Sequence, residues 1–558
     1  MSKVLEIIMI WIEDLSFEYS GNENILKNLN LKTGKKGFFS LVGRSGCGKS
    51  TLCLALNGLI PHEIGGKISG KVEVNGLDTQ KHPIKELATH VGMVFQNPES
   101  QLFALSAEDE IAFGPSNLAL SLDEIEKRVT NALKLLKIEH LRDKSPEEMS
   151  SGEKQKVAIA SALAMEPEIL VLDEPTANLD PASTEDIFRI LKKLSRNMLV
   201  FVAEHDIGKV LEYSDMIAVM DKGSIVLEGT PEKILNDSMI DKYLYLPKIC
   251  RISKKIGIFP IVSKASELAE RTRLKRRLSS EKKRKKKSES IIEIKDLWFE
   301  YKDKTAVLKN INLDIKKGEF VAIVGQNGAG KSTLALHLNG LLKPLRGDII
   351  VDGKNTKVEK VSSLSKIVGY AFQNPDIQFF EDTLTEEISF GPRNLGVKDS
   401  EIKLRAESIF RYTGLEKFRD KDPFSLSVGQ KRRVSIASIL SMEPKVIIID
   451  EPSTGLDIKT INSLMKLIKK LNSSGHTIIM ITHDMELVSD YAERVIVMKN
   501  GEVIGDGNTG DVFNNEKLVR DAQLMLPELM RFGKLVGDID IITMDDCLDA
   551  IEKNKCCR

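Results

Sequence analysis

The 558-residue chain has no apolar run approaching the ~18 residues that a membrane-spanning helix needs. It also has no net charge, since 81 Lys plus Arg balance 81 Asp plus Glu. A general nucleic-acid binder shows a basic excess, so no specific nucleic acid is expected as a partner. Cysteine is scarce: Cys47, Cys53, Cys250, Cys547, Cys556 and Cys557 are the only six, and they lack two-pair metal spacing. A disulfide framework is thereby excluded, and reduced thiols are expected. The tail pair Cys556–Cys557 reads as a frayed end. The opening segment places acids in and after its apolar residues, so Val4–Ile12 reads as a first strand and not as a secretion signal.

What is present is an ordinary globular composition, 42% apolar and 29% charged, which excludes a disordered or fibrous chain. At ~150 residues per domain the length suggests three or four units, but an internal repeat lowers that count. Phe17-Glu18-Tyr19 returns as Phe299-Glu300-Tyr301, and Gln96-Asn97-Pro98 as Gln373-Asn374-Pro375. Phe113-Gly114-Pro115 returns as Phe390-Gly391-Pro392, and His205-Asp206 as His483-Asp484. A period near 280 residues is too long for a solenoid and means two homologous domains in tandem. The expected division is residues 1–258, a basic linker over 259–290, and residues 291–558. Within the linker, Arg271 to Lys287 carries eleven basic residues and one acid, a self-repelling run that stays extended.

Short apolar runs at Phe38–Val42 and Phe320–Val324 end in glycine-rich turns, as buried parallel strands do. Ser121–Ile138 places apolar residues at three- and four-residue steps behind an acidic first turn, which predicts an amphipathic helix. Strands alternating with helices imply an α/β core.

Gly43-Arg-Ser-Gly46-Cys-Gly48-Lys49-Ser50-Thr51 and Gly325-Gln-Asn-Gly328-Ala-Gly330-Lys331-Ser332-Thr333 both match the phosphate-loop pattern, each after a strand and before a helix. The glycines let backbone N–H groups curl round a phosphate, and the helix N-terminus adds positive potential. Lys49 and Lys331 suit the β- and γ-phosphates, and Ser50 and Ser332 suit Mg²⁺. Two apolar runs then end in acids, at Asp173-Glu174-Pro175 and Asp450-Glu451-Pro452. The first acid of each pair suits Mg²⁺, and the second suits polarising an attacking water.

With these motifs in hand, the sequence resembles the ATPase subunits of ATP-binding cassette transporters. Met149-Ser150-Ser151-Gly152-Glu153 and Leu426-Ser427-Val428-Gly429-Gln430 look like that family's L-S-G-G-Q signature, and each glycine lies 21 residues before its aspartate. The signatures are expected to open helices over Lys154–Met165 and Lys431–Met442. The resemblance implies two tandem phosphate-loop ATPase domains. Each has a RecA-like α/β core, an antiparallel β subdomain and a helical signature subdomain. It implies ATP and Mg²⁺ as cofactors, and adenine stacking on Tyr19 and Tyr301. It makes Gln96 and Gln373 the loop glutamines that touch Mg²⁺, Asp180 and Asp457 the D-loop acids, and His205 and His483 the switch histidines. Glu174 and Glu451 become the hydrolytic bases.

In this family the signature serves the partner domain's nucleotide. The resemblance therefore implies a pseudo-dimer within one chain, joining Lys49, Asp173, Glu174 and His205 to Ser427 and Gly429, with Gln430 alongside. Lys331, Asp450, Glu451 and His483 would join Ser150 and Gly152. The runs Asn97-Pro98-Glu99-Ser100-Gln101-Leu102-Phe103 and Asn374-Pro375-Asp376-Ile377-Gln378-Phe379-Phe380 look like energy-coupling-factor and cobalt-type uptake ATPases. That implies a peripheral protein at the cytoplasmic face of the membrane, working with a transmembrane (T) subunit and a substrate-capture (S) subunit to import a vitamin or transition-metal ion. Nearby acids (Glu108, Asp109, Glu110; Glu381, Asp382, Glu386, Glu387) are expected to receive arginine from a partner helix. The alternative is a soluble tandem-cassette ATPase acting on ribosomes.

Overall fold

The computed structural model describes residues 8–21, 24–177, 179–272, 289–301, 306–537 and 541–555. Most of the basic run, the first half of Val4–Ile12 and the Cys556–Cys557 pair lie outside these residues. Two compact units emerge, Met1–Leu268 and Ala269–Arg558. A helix over Ala265–Thr272 occupies part of the stretch expected as linker.

The first unit begins with β1 (Ile10–Tyr19), β2 (Asn24–Lys32) and β3 (Gly37–Gly43). It continues with β4 (Gly66–Val74), β5 (Leu77–Asp78), β6 (Val91–Val94) and β7 (Ile169–Asp173). β8 (Leu199–Glu204), β9 (Met216–Asp221) and β10 (Ser224–Gly229) complete it. Four strands form an antiparallel sheet ordered β2-β1-β4-β5, and six form the main sheet ordered β10-β9-β3-β8-β7-β6. All main-sheet pairings are parallel except β9–β10. Every residue of β7 is buried, as a strand covered on both faces must be.

The second unit repeats this with β11 (Ser290–Glu300), β12 (Ala306–Lys316), β13 (Phe320–Val324), β14 (Arg346–Val351) and β15 (Lys354–Asn355). β16 (Val368–Ala371), β17 (Val446–Asp450), β18 (Thr477–Ile481), β19 (Arg494–Lys499) and β20 (Glu502–Asn508) follow. Its sheets are ordered β12-β11-β14-β15 and β16-β17-β18-β13-β19-β20. Each unit is thus an α/β core with an antiparallel β subdomain and a helical subdomain.

Two apolar layers sandwich the first main sheet. One joins it to the antiparallel sheet through residues such as Phe17, Leu52, Phe39 and Phe201. The other joins it to the helical subdomain through Val157, Leu133, Phe38 and Phe188. The amphipathic helix runs Leu122–Leu136, capped by Ser121, and buries Val129, Ala132, Leu133 and Leu136. The signature helices start three residues earlier than the pattern suggests, at Ser151 and Val428, because Ser150 and Ser427 cap them. Cys47, Cys53, Cys250 and Cys547 are buried free thiols.

The two tryptophans fall one in each unit, Trp11 on β1 and Trp298 on β11. Phe188 is fully buried between the rings of Phe38 and Tyr213. Phe188→Ala should cost about 3–5 kcal/mol. In a Trp298→Phe background, Trp11 fluorescence should report a lower denaturant midpoint for the first unit; an unshifted midpoint would contradict this packing.

Candidate functional site

Parallel order fixes where the chemistry gathers. β3 and β7 flank β8 and point the same way, so the loop after Gly43 and the acids after Leu172 leave one edge of the sheet together. β13, β18 and β17 repeat this in the second unit. Gly43 approaches the neighbouring strand so closely that a Cβ would lie 2.3 Å from the Met220 carbonyl oxygen; Gly325 stands likewise 2.2 Å from that of Met498. Gly48 and Gly330 adopt φ of 110° and 95°, left-handed conformations that open the helices Lys49–Leu56 and Lys331–Leu338. Gly46 and Gly328, within the loops, also have positive φ.

Lys49 is buried and curls back over its own loop. Its Nζ donates to the Gly43 carbonyl at 3.1 Å and meets Glu174 Oε1 at 3.2 Å. Burial opposes its charge, but Glu174, Cys47 and Asp173 outweigh that and raise the ammonium pKa. Lys331 donates to the carbonyls of Gly325 and Gln326, each at 2.8 Å. Ser50 lies beside Asp173 and Ser332 beside Asp450, and each hydroxyl favours its neighbour's charged carboxylate. Burial nevertheless lifts both aspartate pKa values. Asp173 Oδ1 is buried without any hydrogen-bond partner. An orphaned carboxylate oxygen beside a serine hydroxyl is a donor set that suits Mg²⁺, a hard, oxygen-seeking cation. In the second unit Tyr370 donates its hydroxyl to Asp450 Oδ2 at 2.7 Å.

Glu174 and Glu451 sit just past the strands with φ of 43° and 47°. Such left-handed backbone in a non-glycine residue is strained. Each is tied by its N–H to the next strand, Glu174 to Ala203 O and Glu451 to Ile481 O. Gln96 donates to Glu174 Oε2 at 3.0 Å, and His205 Nδ1 stands 3.5 Å from the same oxygen. Burial works against the Glu174 charge, yet His205 and Lys49 hold its pKa down to about 2. Burial likewise works against a charged His205, but Glu174, Glu204 and Asp206 raise it to about 9. In the second unit His483 Nδ1 lies closer, 2.9 Å from Glu451 Oε1. Burial lowers the His483 pKa, and the Glu451 bond more than restores it. Gln373 lies beyond β16, exposed, without a side-chain hydrogen bond to Glu451.

Tyr19 and Tyr301 flank the loop helices, with hydroxyls 3.2 and 3.4 Å from Thr51 and Thr333 Oγ1. Ser150 and Glu153 form one capping box, and Ser427 and Gln430 the other. Gly152 and Gly429 pack against the following helices, where a Cβ would meet Ser183 Oγ at 2.9 Å and Thr460 Cγ2 at 2.4 Å. Asp180 and Asp457 cap those helices. Within each unit the structure therefore gathers loop, aspartate, glutamate and histidine, and sets each signature at a helix start.

The acids expected to await a partner's arginine are mostly engaged already. Glu110 and Glu387 are buried and accept backbone N–H bonds, from Phe103 and Ala104 and from Phe380 and Glu381. Glu108 pairs with Arg142 at 2.6 Å, and Asp109 and Glu386 bond the cap residues Ser106 and Thr383. Unmade backbone bonds in a buried turn are costly, so Glu110 and Glu387 face inward. Only Glu381 and Asp382 are left. Three features escaped the motif reading. Arg432 lies buried behind Asp450, donating to Phe372 O at 2.8 Å. Lys154 and Lys431 pair with Glu99 and Asp376, each at 2.7 Å. Arg44 donates to Lys242 O at 2.8 Å, and Gln326 to Gln523, tying each phosphate loop to the C-terminal extension. Aligning the two halves exposes the first, since Gln155 stands at the Arg432 position.

The family model for ABC transporters matches residues 26–177 and 308–454. The chain belongs to the ABC transporter family. A provisionally named ABC transporter ATP-binding protein of Caldanaerobacter subterraneus subsp. tengcongensis is 40% identical over 550 residues, covering 95% of this chain and 96% of the relative. HMP/thiamine import ATP-binding protein YkoD of Bacillus subtilis (strain 168), also provisionally named, is 35% identical over 547 residues, covering 96% and 98%. Among solved structures, cbiO1 of Clostridium perfringens, described as part of the ABC transporter complex cbiONQ, is 42% identical with a TM-score of 0.39. It covers 44% of this chain and 98% of its own. As an ABC transporter ATP-binding protein with two cassettes, the chain is an ATPase that binds ATP with Mg²⁺.

His205 ties a pH dependence to the first cassette. Its folded pKa of about 9 exceeds the ordinary 6.5, so its stabilisation is full below about 6.5 and lost as pH rises through about 9. In the Trp298→Phe background without nucleotide, the melting point of the first cassette should fall across that window, and His205→Ala should flatten the fall. An equal slope in both proteins would refute the assignment.

Proposed function

We propose that this ABC ATPase is the energising subunit of an energy-coupling-factor type importer. The observation that carries this is a touching pair of exposed aromatics in each cassette, one member of which follows the loop glutamine by seven residues in the sequence. Phe103 and Phe113 meet edge to face at 4.8 Å between ring centres, and Phe380 and Phe390 stack at 5.7 Å. Phe103 is 66% exposed and Phe380 71%. Solvent-facing aromatic pairs repeated at one place suit two docking helices. Among the described residues no helix is long and apolar enough to cross a membrane, so a separate transmembrane subunit would supply those helices. A capture subunit would select the solute. The name of the YkoD relative favours a vitamin or its precursor over a metal ion. Nothing in the comparisons favours the ribosomal alternative.

Two composite sites are proposed. The first joins Lys49, Ser50, Asp173, Gln96, Glu174 and His205 to Ser427, Gly429 and Gln430. The second joins Lys331, Ser332, Asp450, Gln373, Glu451 and His483 to Ser150 and Gly152. Loop N–H groups and the lysine hold the phosphates, and the facing helix start completes the grip. Asp173 with Ser50, and Asp450 with Ser332, would hold Mg²⁺, which supplies charge neutralisation on the phosphates. Each glutamate orients and deprotonates the attacking water, and each histidine steadies the γ-phosphate. Closure around ATP and reopening after hydrolysis would move the docked helices.

Glu174→Gln and Glu451→Gln should each remove part of the turnover, and the double variant all of it. Full turnover in one single variant and none in the other would overturn the two-site reading. Co-expression with a membrane subunit should give co-purification that Phe103→Ala with Phe380→Ala abolishes. Unchanged capture would refute the docking faces while leaving the ATPase sites untouched.

A further inference from the structure

The two cassettes differ in what surrounds their strand-end acids. Thr482 stands where β8 ends in Glu204, and Tyr370 on β16 stands where β6 carries Met93. The second difference touches a residue read above as a cation ligand. β16 and β17 run side by side in parallel, with Tyr370 paired to Ile448, two residues before Asp450. Tyr370 and Asp450 are both buried, and the tyrosine hydroxyl donates to Asp450 Oδ2 at 2.7 Å. Arg432 ties the two strand ends through their main chains. Its Nη1 donates to Phe372 O at 2.8 Å and reaches Asp450 O at 3.5 Å.

An aspartate carboxylate turns easily about its last bond. Engaging Oδ2 restrains that rotation and leaves Oδ1 as the oxygen able to serve a cation. Ser332 lies beside the same carboxylate. The first cassette has no such hydroxyl from β6, because a methionine thioether carries no proton to donate. There Asp173 Oδ1 is buried without a hydrogen-bond partner, and so is Gln155 Nε2 at the position of Arg432. Hydrogen bonds to a metal-binding carboxylate orient it, and losing one weakens metal binding by roughly 10- to 100-fold.

We propose that Tyr370 is a positioning residue for the divalent cation of the second cassette, holding Asp450 in the orientation that Mg²⁺ requires, a device the first cassette lacks. This rests on the reading of Asp450 and Ser332 as the residues that hold Mg²⁺. It is independent of transport and of how the cassettes pair. Tyr370 touches neither cation nor phosphate in this role; it acts through Asp450. The Arg432 charge opposes a nearby cation, but Arg432 stays in place in every variant of the test, so that opposition cancels from the comparison.

The test titrates the full-length chain with Mn²⁺ in the presence of ADP. Mn²⁺ shares the preference of Mg²⁺ for oxygen ligands and is read by electron paramagnetic resonance. An Asp173→Asn background removes the first cassette's carboxylate, so the signal reports the second. Tyr370→Phe, which deletes only the hydroxyl, should weaken Mn²⁺ binding there by about tenfold. Tyr370→Met, which installs the first cassette's residue, should do the same. ADP affinity in EDTA should stay unchanged, because the phosphate loop and Lys331 are untouched. Mn²⁺ binding by Tyr370→Phe as tight as in its parent, or tighter, would overturn the proposal. An equal loss of ADP affinity in EDTA would overturn it too, since the defect would then be structural. Asp450→Asn in the same background should abolish the Mn²⁺ site. If the site survives that change, the ligand reading is wrong and the role of Tyr370 falls with it. If the site is lost while Tyr370→Phe binds normally, only the role of Tyr370 falls.

Discussion

A charged lysine held out of water at the end of a parallel sheet is the constraint on which the rest depends. Lys49 and Lys331 are both buried, and an unpaired ammonium there would not survive folding. Loop carbonyls satisfy them, and in the first cassette Glu174 does so as well. Those partners exist only because β3 and β7, or β13 and β17, run the same way beside a shared neighbour. The apolar layers on both faces of each sheet serve that alignment. On the proposed function, an incoming phosphate would take the place that carbonyls and carboxylate now hold.

Much of this was legible in the chain. The phosphate loops and strand-end acids are local patterns, and a strand followed by Gly-x-x-x-x-Gly-Lys leaves few alternatives for the backbone. The repeat supplied the rest of the weight, because Tyr19, Gln96 and His205 mean little singly but recur at matched distances. The amphipathic helix from Leu122 and the buried run Ile169–Leu172 were readable from period and composition.

What escaped was decided in three dimensions. Acidic residues near Phe103 and Phe380 looked free for a partner, but Glu110 and Glu387 turn inward to serve backbone donors in a turn that no spacing rule reveals. The exact starts of the signature helices depended on Ser150 and Ser427 capping them. Arg432 and Tyr370 occupy positions held by Gln155 and Met93 in the first half, and their meeting around Asp450 needs strands from distant parts of the chain. Glu204 precedes His205 and is fully buried. Its partner Thr176, 2.6 Å away, lies 28 residues earlier in the chain, so only the fold brings the two together.

Carrying both cassettes on one polypeptide has an evolutionary consequence. In an assembly of identical chains, any change at the residue before the histidine appears in both catalytic centres at once, and a damaging one is felt twice. Here the two copies are separate stretches of one gene. Glu at one and Thr at the other can therefore be inherited together in fixed proportion, with no need to sort unlike subunits from like ones. Specialisation of the halves costs nothing in assembly, and a division of labour between them becomes heritable.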